Sequence, residues 1–162
     1  MMNKRAETLI QLLKLSTHPE GGYYRETYRS DIKVKSPQNN QLRNTVTDIY
    51  FLLVSGQISR FHQVLHDEIW HFYEGDPLEL VELQYANLEI TKTILGGGKD
   101  QVNYKHCIKG GNWQAACSLG EYSLAGCTVA PGFDFSDFKL LKEDQDLSSA
   151  ILQKYPEFSH LI

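Results

Sequence analysis

The 162-residue sequence is poor in several features that would assign a protein to a special class. It has no uninterrupted apolar run of membrane length, and the amino-terminal MMNKRAETLIQLLKL spreads charges through its apolar pattern without a small-residue cleavage site. These absences predict a cytoplasmic protein with no membrane partner. There is no excess of positive charge: 16 Lys and Arg face 20 Asp and Glu, for a formal charge of -4, so no attraction for nucleic acid is expected. Cysteine is scarce, since Cys107, Cys117 and Cys127 are odd in number and widely spaced with no Cys-x-x-Cys pair. That excludes a disulfide framework and a zinc knuckle and leaves reduced thiols. Helical periodicity is rare as well. Ala6, Leu9, Ile10 and Leu13 predict an amphipathic helix over roughly 4–15, and the stretch 146–152, begun by a capping-type Asp146, predicts a short closing helix before Pro156. Without helices between strands, a parallel βαβ fold is excluded.

What remains is strand pattern. From about Pro19 to Leu141, aromatic and β-branched residues alternate with turn signals such as Gly21-Gly22, Gly56, Gly110-Gly111-Asn112 and Pro131-Gly132. They divide the chain into about nine or ten short strands, the cadence of an antiparallel sandwich or barrel in one domain spanning 1–162. The segments 78–84 and 88–94 form a hairpin beside the histidine-rich stretch. The polar stretch 30–43 is expected to be an exposed, mobile loop.

Chemistry concentrates at 56–75, GQISRFHQVLHDEIWHFYEG, which holds three of the six histidines. Glu68, Trp70 and Phe72 share one strand face by alternation, and His62, Val64 and His66 share another parity. The stretch reads as two antiparallel strands bending near His66 and Asp67, with His62 and Glu68 aimed at a common interior; His71 points away. In 23–29, Arg25 and Arg29 share a face with Thr27, while Tyr24, Glu26 and Tyr28 take the other. This segment is either a charge-protected edge strand or a clamp for an anion or sugar hydroxyls. In 131–138, Phe133 and Phe135 alternate with acidic residues, and the shifted parity of Phe138 predicts a bend or bulge.

The register of Gly56, His62, Glu68 and Gly75 resembles the first motif of the cupins. There a glycine, five residues, His-x-His, three or four residues, a glutamate, six residues and a glycine follow in order. Further blocks, HPEGGYYRETYRS at 18–30, TDIYFLL at 47–53, GNWQAA at 111–116 and APGFDFSDFKL at 130–140, resemble an uncharacterised family called cupin type 5. The resemblance implies an all-β double-stranded β-helix, the jelly-roll barrel, with its ligand in the lumen. Metal-binding cupins use two histidines, the glutamate and a later histidine. Here Val64 occupies the second position and 126–140 contains no histidine; although His66 could bend in as a substitute, the expectation is no metal and no other cofactor.

Resemblance to the cupin sugar-nucleotide epimerases, which work without metal, implies a histidine base and a tyrosine acid. His62 and Glu68 are then the catalytic candidates, with Tyr50, Tyr73 or Tyr122 as acid. Ligand contacts are expected from Arg25, Tyr50, His66, Trp70 and Phe72. The expected function is a metal-independent epimerase or isomerase acting on a carbohydrate-like or nucleotide-linked small molecule. The alternatives are a binding module without turnover and a metal-dependent oxygenase or isomerase. Cupins that pair through exposed strand edges imply a homodimer joined near 23–28.

Overall fold

The computed structural model describes residues 2–97 and 102–162. Helix α1 (Lys4–Leu12) is capped by Asn3, whose side chain accepts from the Arg5 and Ala6 amides. Strands β1 (Ser16–Thr17), β2 (Tyr23–Arg29), β3 (Lys33–Lys35), β4 (Leu42–Asn44), β5 (Thr47–Val54), β6 (Ile58–Gln63) and β7 (Asp67–Gly75) follow. The second half holds β8 (Leu78–Leu83), β9 (Ile90–Gly97), β10 (Val102–Asn103), β11 (Lys105–Ile108), β12 (Trp113–Ser118), β13 (Tyr122–Ala130) and β14 (Lys139–Leu140). Helix α2 (Gln145–Lys154) closes the chain before a 3-10 turn at Pro156–Leu161. Its cap is Asp144, which accepts the Leu147 amide at 3.0 Å, and not the expected Asp146. No described helix is long and apolar enough to cross a membrane.

Two six-stranded sheets face each other, ordered β1-β2-β5-β13-β7-β11 and β10-β9-β8-β12-β6-β14, all paired antiparallel. This is the all-β jelly-roll barrel that the sequence predicts. Between the sheets Phe51, Leu53, Trp70, Leu78, Leu80 and Leu95 form one buried core. The outer faces are covered separately. α1 packs on Leu52, Val54 and Leu124 of the first sheet. The carboxy-terminal helices cover Val81, Leu83 and Trp113 of the second, through Ile151, Phe158 and Leu161. β8 therefore buries side chains on both faces.

Four local expectations are corrected. The 56–75 stretch is no paired hairpin: β6 lies in the second sheet and β7 in the first, so the bend at 64–66 is a corner between sheets. β8 and β9 do pair, but β12 separates them from β6. The polar 30–43 stretch is not a plain loop, since β3 and β4 form a small sheet of their own. Finally, β2 slips register between Glu26 and Tyr28, so that Tyr28 pairs with Asp48 and Arg29 with Thr47. This bulge at Thr27 reverses the parity of Arg29 and brings it to the side of Glu26.

Candidate active site

A tight turn begins the site. Within residues 18–22 the His18 carbonyl accepts the Gly21 amide, and the His18 amide donates back to the Gly22 carbonyl, each at 3.0 Å. Gly21 adopts φ +114°, and a Cβ there would stand 2.0 Å from the Ile58 carbonyl oxygen. Only glycine lets the turn press this close to β6. The contact is fixed by the Arg60 amide, which donates to the Glu20 carbonyl at 2.9 Å. The Glu20 side chain is thereby delivered against the side chains of β6.

There its carboxyl is surrounded. Ser59 Oγ donates to Glu20 Oε1 at 2.7 Å, while Glu20 Oε2 lies 3.2 Å from His62 Nε2 and 3.4 Å from His18 Nδ1. His62 Nδ1 faces the Arg60 carbonyl at 2.8 Å, and since a carbonyl only accepts, Nδ1 carries a proton. In the neutral ring, Nε2 is then a lone pair aimed at Glu20. The two groups are bonded best when one proton lies between them.

Burial decides where that proton resides. It raises the Glu20 carboxyl from its ordinary value of 4.5 to about 7, against the opposing charge of His18 and the Ser59 hydrogen bond. The same desolvation lowers His62, opposed by the charge of Glu68 and the bond to Arg60. His18 is lowered for the same reason, with Glu20 opposing and His62 adding to the effect. Burial thus favours the neutral forms of both groups, a carboxylic acid beside an imidazole, each almost fully buried.

Glu68 approaches from the first sheet. Trp70 Nε1 donates to Gln114 Oε1 at 2.8 Å, and Gln114 Nε2 donates in turn to Glu68 Oε2. Burial raises this carboxyl too, with His62 lowering it and Glu20 adding to the rise. The Cys127 thiol bonds to it and is itself pushed up by burial, which leaves it a poor nucleophile.

These groups open onto a cavity of about 310 Å³ between the sheets. Its apolar wall includes Ile49, Phe51, Val64 and Val129, completed by three rings from the segment after β13. Phe138 stacks on His62 at 5.5 Å and Phe135 on His18 at 6.1 Å, while Phe133 meets Phe135 edge-on at 5.0 Å. Arg43 of β4 holds the segment, pairing with both oxygens of Asp137 at 2.6 and 2.8 Å.

The structure places the residues singled out from the sequence as follows. His62 and Glu68 line the cavity from opposite sheets. Arg25 also borders it, but its guanidinium lies 5.8 Å from the Tyr50 ring centroid, and Tyr50 packs in the outer cluster under α1. Tyr50 is therefore not cavity wall, because Ile49 and Phe51 beside it take the inward parity of β5. Trp70 and Phe72 do point between the sheets, yet they belong to the packed core and not to the cavity lining. His66 is buried at the corner, its Nε2 2.8 Å from Ser36 Oγ, where it anchors the β3–β4 hairpin. Tyr73 is half exposed and Tyr122 donates to Glu74 at 3.1 Å, so none of the three expected acid tyrosines lines the cavity; Tyr24 does. His71 faces outward, its Nε2 3.2 Å from Thr128 Oγ1.

His18, Glu20 and the Phe133–Phe135–Phe138 wall were not assigned from sequence. Their signal was the His-Pro-Glu-Gly-Gly turn: two ionisable groups two residues apart, just before glycines that permit close approach.

A cupin metal does not fit this donor set. Val64 stands where a second histidine would be, His62 Nε2 is engaged by Glu20, and Glu68 by Gln114. Among the described residues no three His, Cys, Asp or Glu side chains are arranged to hold an ion.

Known proteins share this architecture. A Leishmania major hypothetical protein superposes with a TM-score of 0.83 at 29% identity, over 97% of this chain and 96% of that one. The crystal structure of protein SO0799 from Shewanella oneidensis gives 0.80 at 32% identity, over 99% and 95%. The uncharacterised protein YML079W of Saccharomyces cerevisiae is 26% identical over 90% of this chain and 79% of its own. Residues 7–141 match the family described as Cupin superfamily (DUF985), and the chain belongs to that family.

Proposed function

We propose that the barrel lumen is a metal-independent proton-transfer site of isomerase or epimerase type, acting on a small carbohydrate-like molecule with an enolisable carbonyl. The observation that carries this reading is the Glu20–His62 contact at 3.2 Å, beside a cavity of ligand size. A carboxyl raised to about 7 can take and return a proton near neutral pH, and burial keeps the imidazole beside it neutral. In this reading the Glu20–His62 pair removes the proton from the carbon next to the carbonyl. Glu68, whose proton affinity burial raises, supplies a proton to the carbonyl oxygen as the enediol forms. Reversal on either carbon or either face returns both protons, giving an isomer or an epimer with no net change in the protein. Trp70 and Gln114 hold Glu68 in position, and the stacked Phe138 excludes water from His62.

The test is incorporation of deuterium at the α-carbon of added α-hydroxy ketones in D₂O. Wild-type protein is expected to catalyse it, and Glu20→Gln and His62→Asn each to lower the rate about 100-fold or more. A chelator should leave the wild-type rate unchanged. Ligand binding without exchange would establish a non-catalytic binding module, and a rate restored by adding back zinc, iron or manganese would sink the metal-independent reading.

A further inference from the structure

Resting on that reading, the question becomes which substrates the cavity admits. Two arginines border it, and Arg29 is committed to a carboxylate. The Thr27 bulge brings Arg29 beside Glu26, and its guanidinium donates Nε and Nη2 to the two Glu26 oxygens at 2.9 and 2.7 Å. Nη1 donates to Asn44 Oδ1 at 3.0 Å and to the Phe133 carbonyl at 3.1 Å. The Arg25 guanidinium lies over Tyr50, on the outer face of the sheet. Three carboxyl groups, Glu20, Glu26 and Glu68, share the lining. A phosphate entering here would lose its hydration and find Arg29 already paired with the Glu26 carboxylate.

The rest of the cavity favours the opposite kind of molecule. One wall is the Phe133, Phe135 and Phe138 cluster, whose ring centroids lie 5.0 to 6.1 Å apart. The volume of about 310 Å³ equals roughly ten water molecules at ~30 Å³ each. A nucleotide-linked sugar is larger than this.

We infer that the ligand is an uncharged ring compound bearing a carbonyl, of the size of a single cyclic ketone, ketose or lactone, seated against the Phe133–Phe135–Phe138 wall. Phosphorylated and nucleotide-linked substrates are excluded by the closed Glu26–Arg29 pair at the rim.

The experiment is ligand-observed NMR with two α-hydroxy ketones, the neutral ring 2-hydroxycyclohexanone and the anionic dihydroxyacetone phosphate. The ring should bind at least about tenfold more tightly than the phosphate. Phe138→Ala and, as a second variant at a half-exposed position, Phe135→Ala should each weaken it several-fold. Glu26→Gln leaves Arg29 with unneutralised charge and should raise phosphate binding while leaving the ring unaffected. Phosphate binding equal to or tighter than the ring in wild-type protein, no binding of either at about 10 mM, or no effect of either phenylalanine variant would each overturn the inference. Deuterium exchange is read in the same samples: ring binding without exchange keeps this ligand class and removes the proton-transfer function.

Discussion

Glu20 Oε2 meets His62 Nε2 at 3.2 Å, with both side chains more than nine-tenths buried. The folded protein keeps the Glu20 proton up to about pH 7, whereas the unfolded chain releases it near 4.5. Between those values the folded state binds more protons, so this carboxyl makes stability fall as pH rises, and the loss is complete above about 7. His62 and His18, held below 6.5, act in the opposite sense: on acidification the unfolded chain takes up protons that the folded one refuses.

Glu20→Gln should isolate the first effect, because the amide can still donate to His62 and accept from Ser59. The stability of the variant relative to wild type is expected to increase from pH 5 to pH 8, by on the order of 1–3 kcal/mol. Urea denaturation at the two pH values measures it, and a difference independent of pH would show that Glu20 ionises normally.

Removing the stacked ring should expose the imidazole. Phe138→Ala is expected to move the His62 pKa up towards 6.5, since desolvation is the main cause of its depression. NMR titration of the ring protons reads the shift directly. A value that stays in place or falls would mean that another wall shields His62.

Gly21→Ala should cost roughly 2–4 kcal/mol through strain and displacement. The new Cβ would lie 2.0 Å from the Ile58 carbonyl oxygen at a φ of +114°. The midpoint of urea unfolding gives the cost, and the variant should also lose α-deuterium exchange because Glu20 moves with the turn.

Arg43→Ala leaves the Asp137 carboxylate, whose side chain is 6% exposed, without its bidentate partner. The expected loss is about 1–3 kcal/mol, between that of a surface bridge and that of a buried one. High salt should weaken the wild-type value modestly, because the pair is partly buried. A loss under about 0.5 kcal/mol would place this pair among ordinary surface bridges.

Assembly is open to a direct measurement. β1 covers only Tyr23 and Tyr24 of β2, through Thr17 and Ser16, so no described strand pairs with that edge from Arg25 to Arg29. We expect a homodimer that covers it, with light scattering returning about twice the chain mass of 18.5 kDa. A monomer at micromolar concentration would rule the pairing out.

Local pattern was enough for much of this protein. Period-two alternation put Glu68, Trp70 and Phe72 on one face, and the Gly56–His62–Glu68–Gly75 register marked the family, because each depends only on neighbours along one strand. Alternation cannot say how deep a side chain lies, so it does not separate the cavity wall from the packed core to which Trp70 and Phe72 belong. Nor does it say which parity of a neighbouring strand turns inward, which is how Tyr50 was misplaced. A single bulged residue, Thr27, moved Arg29 to the side of Glu26 and closed an ion pair where strand parity set the two apart. Above all, the motif offers Glu68 as the carboxylate that shares an interior with His62. The fold instead sets Glu20 against the ring, since two glycines let the 18–22 turn press on β6, a contact between distant segments that no local periodicity encodes.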